Sequence, residues 1–600
     1  MHQLSELNRY FRQYRWSILL GTLYLTISNF FLIWIPVLIR RTMDEVELLG
    51  EQTDQEWTHL GELLFMSDAG AILAYNSILL VGTVILYGTL LFATRQTLIV
   101  SSRKIEYDIR NDLLEKLLIL PQRYFSENRS GEIYIRATED IARVREYFGP
   151  VYMYTINTIT RAGFIIVMML IVNRELTFWA LLPLPFLSAF AYWVSGFIHR
   201  YQTLIQEQYS NIAGRANEAF TSIRLIKAYN REAYEQEKFD QESRSYRQKK
   251  LKLDLVESLF HPTLNLLIGL SVIIVVWKGG VMVIDNQITV GNIAEFVIYV
   301  AYLTWPVASL GYTVNRFQKS IASWDRISVL MKEPVDIQSN DETDHSLEEC
   351  RGEIEFDHVS FTYPGSDEKV LQDVTFKIEA GEHVAIVGRT GSGKSTLVQL
   401  IPRLFDPAEG IIRLDGVDIR DWPVALLRRR IGYVPQDTFL FSTTLRENIG
   451  FGLDEVTDDQ IYEAAEKAQI RENILEFERK FMTMVGERGI TLSGGQKQRT
   501  AIARALIKKP SILILDDSLS AVDTKTEDAI LKYLQQEFQG RTTLMISHRI
   551  SSIKNADTIF YIEKGRLIER GTHDELLDLD GRYADMYRKQ LLEKELAELQ

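Results

Sequence analysis

The densest concentration of reactive and anion-binding groups in this chain is the run Gly388-Arg389-Thr390-Gly391-Ser392-Gly393-Lys394-Ser395-Thr396. Its spacing matches the phosphate-binding pattern G-x-x-x-x-G-K-[ST]. Glycines let successive backbone N–H groups turn toward one centre. A helix that starts at Lys394 presents its positive end to the same point. Lys394 adds a cation for the β/γ-phosphates, and the Ser395 hydroxyl is a ligand for Mg²⁺. The apolar run His383–Val387 just before it reads as a buried strand. Strand, loop and helix in this order imply a bound nucleoside triphosphate.

Further polar groups sit at the ends of apolar runs in the same half of the chain. Gln436 closes Tyr433-Val434-Pro435-Gln436 and offers its side chain to the metal or to an attacking water. Leu492-Ser493-Gly494-Gly495-Gln496 opens a helix, so Ser493 and the two glycines form a second anion-binding N-terminus. Ile512–Leu515 reads as a buried strand that delivers Asp516 toward the metal. Ser520-Ala521-Val522-Asp523 and Ile546-Ser547-His548 follow. Tyr363, in Tyr363-Pro364-Gly365, either stacks on a base or caps a surface turn.

The elements that position these groups divide the 600 residues in two. The first part holds six apolar runs near the ~20 residues needed to cross a bilayer. They are Trp16–Ile39, Ala71–Phe92, Val151–Val172, Leu176–Ile198, Leu264–Val283 and Ile293–Val314. Arg9, Arg12 and Arg15 precede the first run. The connections after the second and fourth runs are long and rich in Lys and Arg, which places them and the N-terminus in the cytoplasm. Helical periodicity in these connections predicts long arms below the membrane, with tips near Arg136–Ile141 and Thr221–Leu225. Arg161 lies inside the third run and calls for a partner, an aqueous cavity or a route to the interface. Asn157, Thr158 and Thr160 either line a polar path or bond a neighbouring helix.

The fold class expected is an α-helical membrane domain with long cytoplasmic extensions, joined to an α/β P-loop nucleotide-binding domain. The boundaries expected are 1–325 for the membrane domain, 326–350 for an acidic linker, 351–580 for the nucleotide-binding domain and 581–600 for a C-terminal helix. Leu592, Leu596 and Leu599 give that helix an apolar stripe. A single cysteine, Cys350, excludes an intramolecular disulfide and suits a reducing compartment for the soluble half. A formal charge of −13 argues against a nucleic-acid partner.

The motif set, in this order, resembles the ATP-binding-cassette transporters, and six spans with two long inner loops resemble their exporter type. The resemblance implies ATP and Mg²⁺ as ligands. It implies adenine stacking for Tyr363, phosphate and metal binding for Lys394 and Ser395, and a metal-site carboxylate at Asp516. It gives Gln436 the link from metal to membrane domain, and His548 the γ-phosphate switch. Two cassettes of the family pair head to tail, so Ser493–Gln496 serve the nucleotide on the opposite subunit. Gly486-Glu487-Arg488-Gly489 is similar to the loop that touches the coupling tips, and Ile226–Glu232 to the second inner loop. One residue departs from the pattern. The family usually has glutamate after the metal-site aspartate, as general base; here it is Asp517. Its basicity is nearly that of glutamate, but it reaches ~1.5 Å less far, and a 1 Å misplacement costs about a hundredfold. The resemblance therefore implies a slow site at this chain's own loop and a second, different half-transporter as partner. A homodimer with Asp517 as a weak base is the alternative, or a regulatory ATP-binding membrane subunit. The cargo class is an amphipathic small molecule, lipid or peptide, and the location is the cell membrane with the cassette on the cytoplasmic side.

Overall fold

The computed structural model describes residues 4–52, 68–339, 343–486, 492–519, 529–530, 532, 540–549 and 553–598. The chain divides into two compact units: Met1–Lys116 with Ile133–Lys332, and Leu117–Glu132 with Glu333–Gln600.

The first unit is helical. A short α1 (Leu4–Gln13) leads into α2 (Arg15–Gln52), followed by α3 (Asp68–Ile119) and α5 (Ser130–Val172); α4 (Gln122–Glu127), which lies between them in the chain, belongs to the second unit. Then come α6 (Arg174–Leu181), α7 (Leu184–Thr221), α8 (Ile223–Ala228), α9 (Glu232–Ile284) and α10 (Val290–Lys332). All six apolar runs fall on these helices. Among the described residues, α2, α3, α5 and α10 carry segments long and apolar enough to cross a membrane. Only 11% of the apolar window of α3 is buried by protein. Its outward residues, such as Ile78 and Ile85, are 73% and 63% exposed. Such a surface needs an apolar solvent.

Two expectations are corrected by prolines. The fourth run is not one helix: the chain turns at Leu182–Pro183 between α6 and α7, where proline has no N–H to continue the hydrogen-bond ladder. The first inner tip is not at Arg136–Ile141. Those residues stay helical, with a π-helical stretch at Arg136–Asp140. The break comes earlier, at Leu120–Pro121 and again at Asn128–Arg129, around α4. There Arg123 pairs with Asp336 at 3.0 Å and Glu333 at 3.6 Å. The second tip follows Thr221, with α8 and a left-handed Asn230 before α9 resumes. Helix α10 runs to Lys332, so residues 326–332, read above as linker, are helical.

Several polar groups inside the bundle are paired across helices. Asn29 donates to Asn157 at 2.9 Å and to Thr160 at 2.8 Å, and Thr158 meets Ser309 at 3.3 Å. The three polar residues of the third run thus bond neighbouring helices. Arg161 lies over the ring of Tyr302 at 5.1 Å. The buried carboxylate of Glu295 accepts from Arg40 at 3.0 Å and from Tyr299 at 2.9 Å. Asp140 is fully buried and held by Arg326 and by Ser323 at 2.9 Å. The arms α7 and α9 are joined through Gln208, which accepts from Lys249 at 2.7 Å and Ser245 at 3.2 Å.

The second unit is built on two sheets. Strands β1 (Ile354–Thr362), β2 (Lys369–Ile378), β4 (Glu409–Leu414) and β5 (Val417–Asp418) form an antiparallel sheet in the order β2-β1-β4-β5. The larger sheet has the order β10-β9-β3-β8-β7-β6. It contains β3 (His383–Val387), β6 (Ile431–Val434), β7 (Ile512–Asp516), β8 (Thr542–Ile546), β9 (Thr558–Glu563) and β10 (Arg566–Gly571). Strands β6, β7, β8, β3 and β9 are parallel. The residues of β3, β7 and β8 are buried throughout, as parallel strands covered on both faces must be. Phe356, Phe376 and Phe560 bridge the two sheets, with ring centroids 4.5 and 4.9 Å apart. Cys350 is buried in this core, which pushes its thiol up to about 12 and makes it unreactive. Helix α11 (Lys394–Leu400) follows β3. A second core forms around α12 (Leu445–Gly450), α13 (Asp458–Lys467) and α14 (Gly494–Leu506). The chain closes with α15 (His573–Asp578) and α16 (Arg582–Glu598).

Candidate functional site

Parallel pairing places the carboxyl ends of four strands on one edge of the sheet. Asp516 stands opposite Ile546, and Val434 opposite Leu515. The loop after β3, Gln436 after β6, Asp516 and Asp517 at the end of β7, and His548 after β8 therefore converge. Ligands of open α/β sheets bind at this edge. A cavity of about 300 Å³ opens there, lined by Thr390–Thr396, Gln436, Asp516, Asp517, His548 and Tyr363, with Val370 and Ile546.

The loop curls through glycine conformations. Gly388, Gly391 and Gly393 have φ of 147°, 78° and 100°. A Cβ on Gly388 would lie 2.1 Å from the Ile562 carbonyl oxygen, and one on Gly393 2.9 Å from that of Val370. Gly393 ends the loop and α11 begins at Lys394. The Lys394 ammonium folds back onto the carbonyls of Gly388 at 3.0 Å and Arg389 at 2.9 Å. Burial lowers its pKa, and the charges of Asp516 and Asp517 oppose that shift. Ser395 Oγ donates to Asp516 Oδ1 at 3.0 Å. Burial raises the Asp516 pKa, against the Ser395 hydrogen bond and the positive field of Lys394. A site with a buried lysine and a buried carboxylate gains from a ligand that brings both an anion and a cation.

Asp517 has φ of 44°, and its N–H donates to the Ile546 carbonyl at 3.0 Å. Tyr363 is set by edge-to-face contacts with Phe361 and Phe405, at 4.9 and 5.4 Å, and its hydroxyl meets Thr396 Oγ1 at 3.0 Å. His548 is exposed, and its carbonyl accepts from Gln590 of α16 at 2.6 Å.

Residues 17–307 match the family described as ABC transporter transmembrane region, and residues 371–520 match ABC transporter. A probable multidrug resistance ABC transporter ATP-binding/permease protein, YheI of Bacillus subtilis, is 37% identical over 87% of this chain and 89% of its own length. The multidrug resistance-like ATP-binding protein MdlA of Escherichia coli is 32% identical over 99% of this chain and 98% of its own. A solved bacterial Atm1-family ABC exporter with ATP bound superposes with a TM-score of 0.76 and 26% identity. It covers 97% of this chain and 99% of that one.

This chain is an ABC transporter.

Transmembrane region and ATP-binding cassette are fused in one polypeptide, and the transporter is homologous to multidrug-resistance-like exporters and Atm1-family half-transporters. It is an ATP hydrolase coupled to transport. Not every residue singled out in the sequence joins the cavity. Ser493, Gly494, Gly495 and Gln496 are not among its lining residues. They form the N-terminus of α14, where the Ser493 side chain accepts the Gln496 N–H at 3.2 Å and Gln496 Oε1 accepts the Ser493 N–H at 3.0 Å. This reciprocal box fixes the helix start. Ser493 and Gly494 are exposed. Asp523, with Ser520–Val522, and Glu487–Gly489 lie outside the described residues.

Sequence reasoning missed Arg504. From α14 it donates to Asn448 O and Oδ1, both at 2.8 Å, and to Phe439 O at 2.9 Å. Its guanidinium also lies 5.7 Å from the ring centres of Phe441 and Phe451. It ties α14 to the segment that follows Gln436. The acceptors come from two residues, Asn448 and Phe439, 56 and 65 positions earlier in the chain, so no local pattern signalled it.

Proposed function

We propose that this transporter is one half of an exporter in which its own phosphate loop retains ATP and cleaves it slowly, while Leu492–Gln496 completes the working site of a different half-transporter. One observation carries the reading: the residue after Asp516, on the cavity wall, is Asp517. Its backbone is pinned to β8, so it has little freedom to advance and recover the missing methylene. General-base work needs ~2.6–3.2 Å to the water. Ser493 and Gly494, exposed and absent from the walls of the chain's own cavity, support a site completed between two chains.

In this reading Lys394 and the loop N–H groups bind the phosphates, and Tyr363 stacks on adenine. Ser395 and Asp516 hold Mg²⁺ with Gln436 beside them, and His548 senses the terminal phosphate. Asp523 is a further nucleotide-site residue that the sequence supplies. The residues fit the ion: Ser395 and Asp516 present hard oxygens 3.0 Å apart. Among the described residues no group of three or more His, Cys, Asp or Glu side chains is placed to hold a metal ion by itself; in this reading phosphate and water supply the remaining ligands. Bound Mg²⁺ would neutralise charge on the phosphates. ATP affinity that differs between two conformations of the membrane half would drive the transport cycle.

A homodimer has support of its own, because Asp517 lines the same cavity as Lys394, Ser395 and Gln436. Two copies would then hydrolyse ATP at both sites. Amphipathic small molecules or lipids are the proposed cargo. Relatives named for multidrug resistance, and an ATP-dependent lipid A-core flippase of Coxiella burnetii at 34% identity over 83% of this chain, support that class. The distribution of Lys and Arg supports a cell-membrane location with the cassette cytoplasmic. The test is ATP turnover of the purified chain alone and with the half-transporter encoded beside it. Slow turnover alone, fast turnover together and little effect of Asp517→Asn on the pair are expected. Fast turnover by the lone chain, abolished by Asp517→Asn, would establish the homodimer instead.

A further inference from the structure

A cavity of about 360 Å³ lies at the foot of the membrane half, far along the chain from the nucleotide motifs. Polar Asn8, Arg12 and Arg15 line it together with Phe11, Ile18, Leu19 and Tyr152. It sits where α1 passes into α2, at the point where the sequence changes from charged to apolar.

The charges of this corner are unequally used. Arg9 pairs with Asp112 of α3, which also accepts from Tyr10 at 2.7 Å. Asp108, one turn earlier, accepts from Gln13 at 3.1 Å and Tyr14 at 2.9 Å. These contacts dock one face of α1 on α3 and occupy both carboxylates. Arg12 and Arg15 are exposed, and neither forms an ion pair with any of the described residues. Arg15 instead lies 5.5 Å from the ring centre of Trp16. Two cations one helical turn apart thus share a cavity without an anion.

Immediately deeper, the surface is apolar. Trp16, Leu19, Leu20 and Leu23 are 74%, 56%, 42% and 53% exposed. At ~1.5 Å per residue, Leu19 and Leu23 lie about 6 and 12 Å below Arg15 along α2. Tryptophan at this depth marks a bilayer interface. The floor is preorganised: Ile18 is buried, and Tyr152 meets Thr22 at 3.1 Å. A phosphate-sized anion above and an apolar strip below match a phospholipid. Basic pockets beside membrane helices bind anionic headgroups.

We propose that this cavity binds one anionic phospholipid, with its phosphate between Arg12 and Arg15 and its acyl chains along Leu19 and Leu23. The bound lipid would fasten α1 to the inner face of the bilayer on the side that the carboxylates of α3 leave free. The site is independent of how the nucleotide is cleaved.

The experiment uses the full chain in nanodiscs of phosphatidylcholine containing a minor fraction of phosphatidylglycerol, with retained lipid read by native mass spectrometry. Phosphatidylglycerol is expected to be retained in preference to phosphatidylcholine. Arg12→Gln and Arg15→Gln should each reduce that preference about fivefold, while Arg12→Lys with Arg15→Lys should keep most of it. Soluble glycerol phosphate should not displace the lipid. An unchanged preference in the double Gln variant, or equal occupancy by glycerol phosphate, would overturn the proposal. A photo-reactive phosphatidylglycerol on the unaltered chain gives a test that needs no variant. Crosslinks within residues 8–23 support the site, and crosslinks confined elsewhere refute it.

Discussion

The N–H of Asp517 donates to the carbonyl of Ile546 at 3.0 Å, while Asp517 holds a left-handed backbone at φ 44°. Aspartate tolerates that region better than most residues. Lengthening the side chain should therefore trade stability for reach. Asp517→Glu is expected to raise ATP turnover of the purified chain by about tenfold or more, at a cost of about 1 kcal/mol in cassette stability. Steady-state hydrolysis and thermal unfolding check the two halves of this prediction. Turnover no faster than that of the original chain would mean that reach is not what limits the site.

The phosphate loop should distinguish its own glycines. A Cβ at Gly388 meets the Ile562 carbonyl oxygen at 2.1 Å, whereas one at Gly391 meets nothing within 4 Å. Gly388→Ala should weaken binding of a fluorescent ATP analogue by at least about tenfold, because backbone must move. Gly391→Ala carries only left-handed strain of about 1–2 kcal/mol and should retain more affinity. Equal losses would contradict the described curl.

The Asp140–Arg326 pair should respond asymmetrically. Asp140 is fully buried, while the Arg326 side chain is 45% exposed. Arg326→Met strands a buried carboxylate and is expected to cost about 3–5 kcal/mol. Asp140→Asn leaves a half-exposed guanidinium that water can reach, and should cost nearer 1 kcal/mol. Unfolding of the detergent-purified variants would show the order, and a reversed order would refute the burial argument.

His383, at the start of β3, should give the cassette unit a dependence on pH. Burial pushes its pKa down to about 4, against the opposing charge of Asp557. The unfolded chain, with an ordinary value near 6.5, then binds more protons than the folded one between about pH 6.5 and 4. The stability contributed by neutral His383 is present above pH 6.5 and is lost as pH falls through that window, by about 3 kcal/mol in total. His383→Gln should flatten the acid limb of the stability profile between those values. An unaltered limb would assign the acid sensitivity to other groups.

Much of the shape of the cavity after β3 was legible because it is local. Gly388, Gly393, Lys394 and Ser395 make a backbone curl and a helix start, both set by neighbouring residues. The same holds for the capping box of Ser493 and Gln496. The two inner tips were less legible. Helical periodicity carried the reading past Pro121, although that proline marked the break, and Pro183 likewise divided the fourth apolar run. Arg161 shows the limit of such reading: an isolated cation in an apolar run signals a partner, but the Tyr302 ring comes from a helix far along the chain.

By itself the sequence determined the fused membrane and nucleotide-binding halves, the phosphate loop and the short carboxylate at Asp517, since residue type and short spacing dictate all of them. Tertiary structure alone decided which groups share the cavity. Parallel pairing of β6, β7, β8 and β3 brings Gln436, Asp516, His548 and the loop to one edge, while Ser493–Gln496 stay off its walls. It also decided that Arg9 is spent on Asp112, while Arg12 and Arg15 form no ion pair among the described residues. Pairing across strands and helices depends on contacts hundreds of residues apart, and no local pattern encodes their distance.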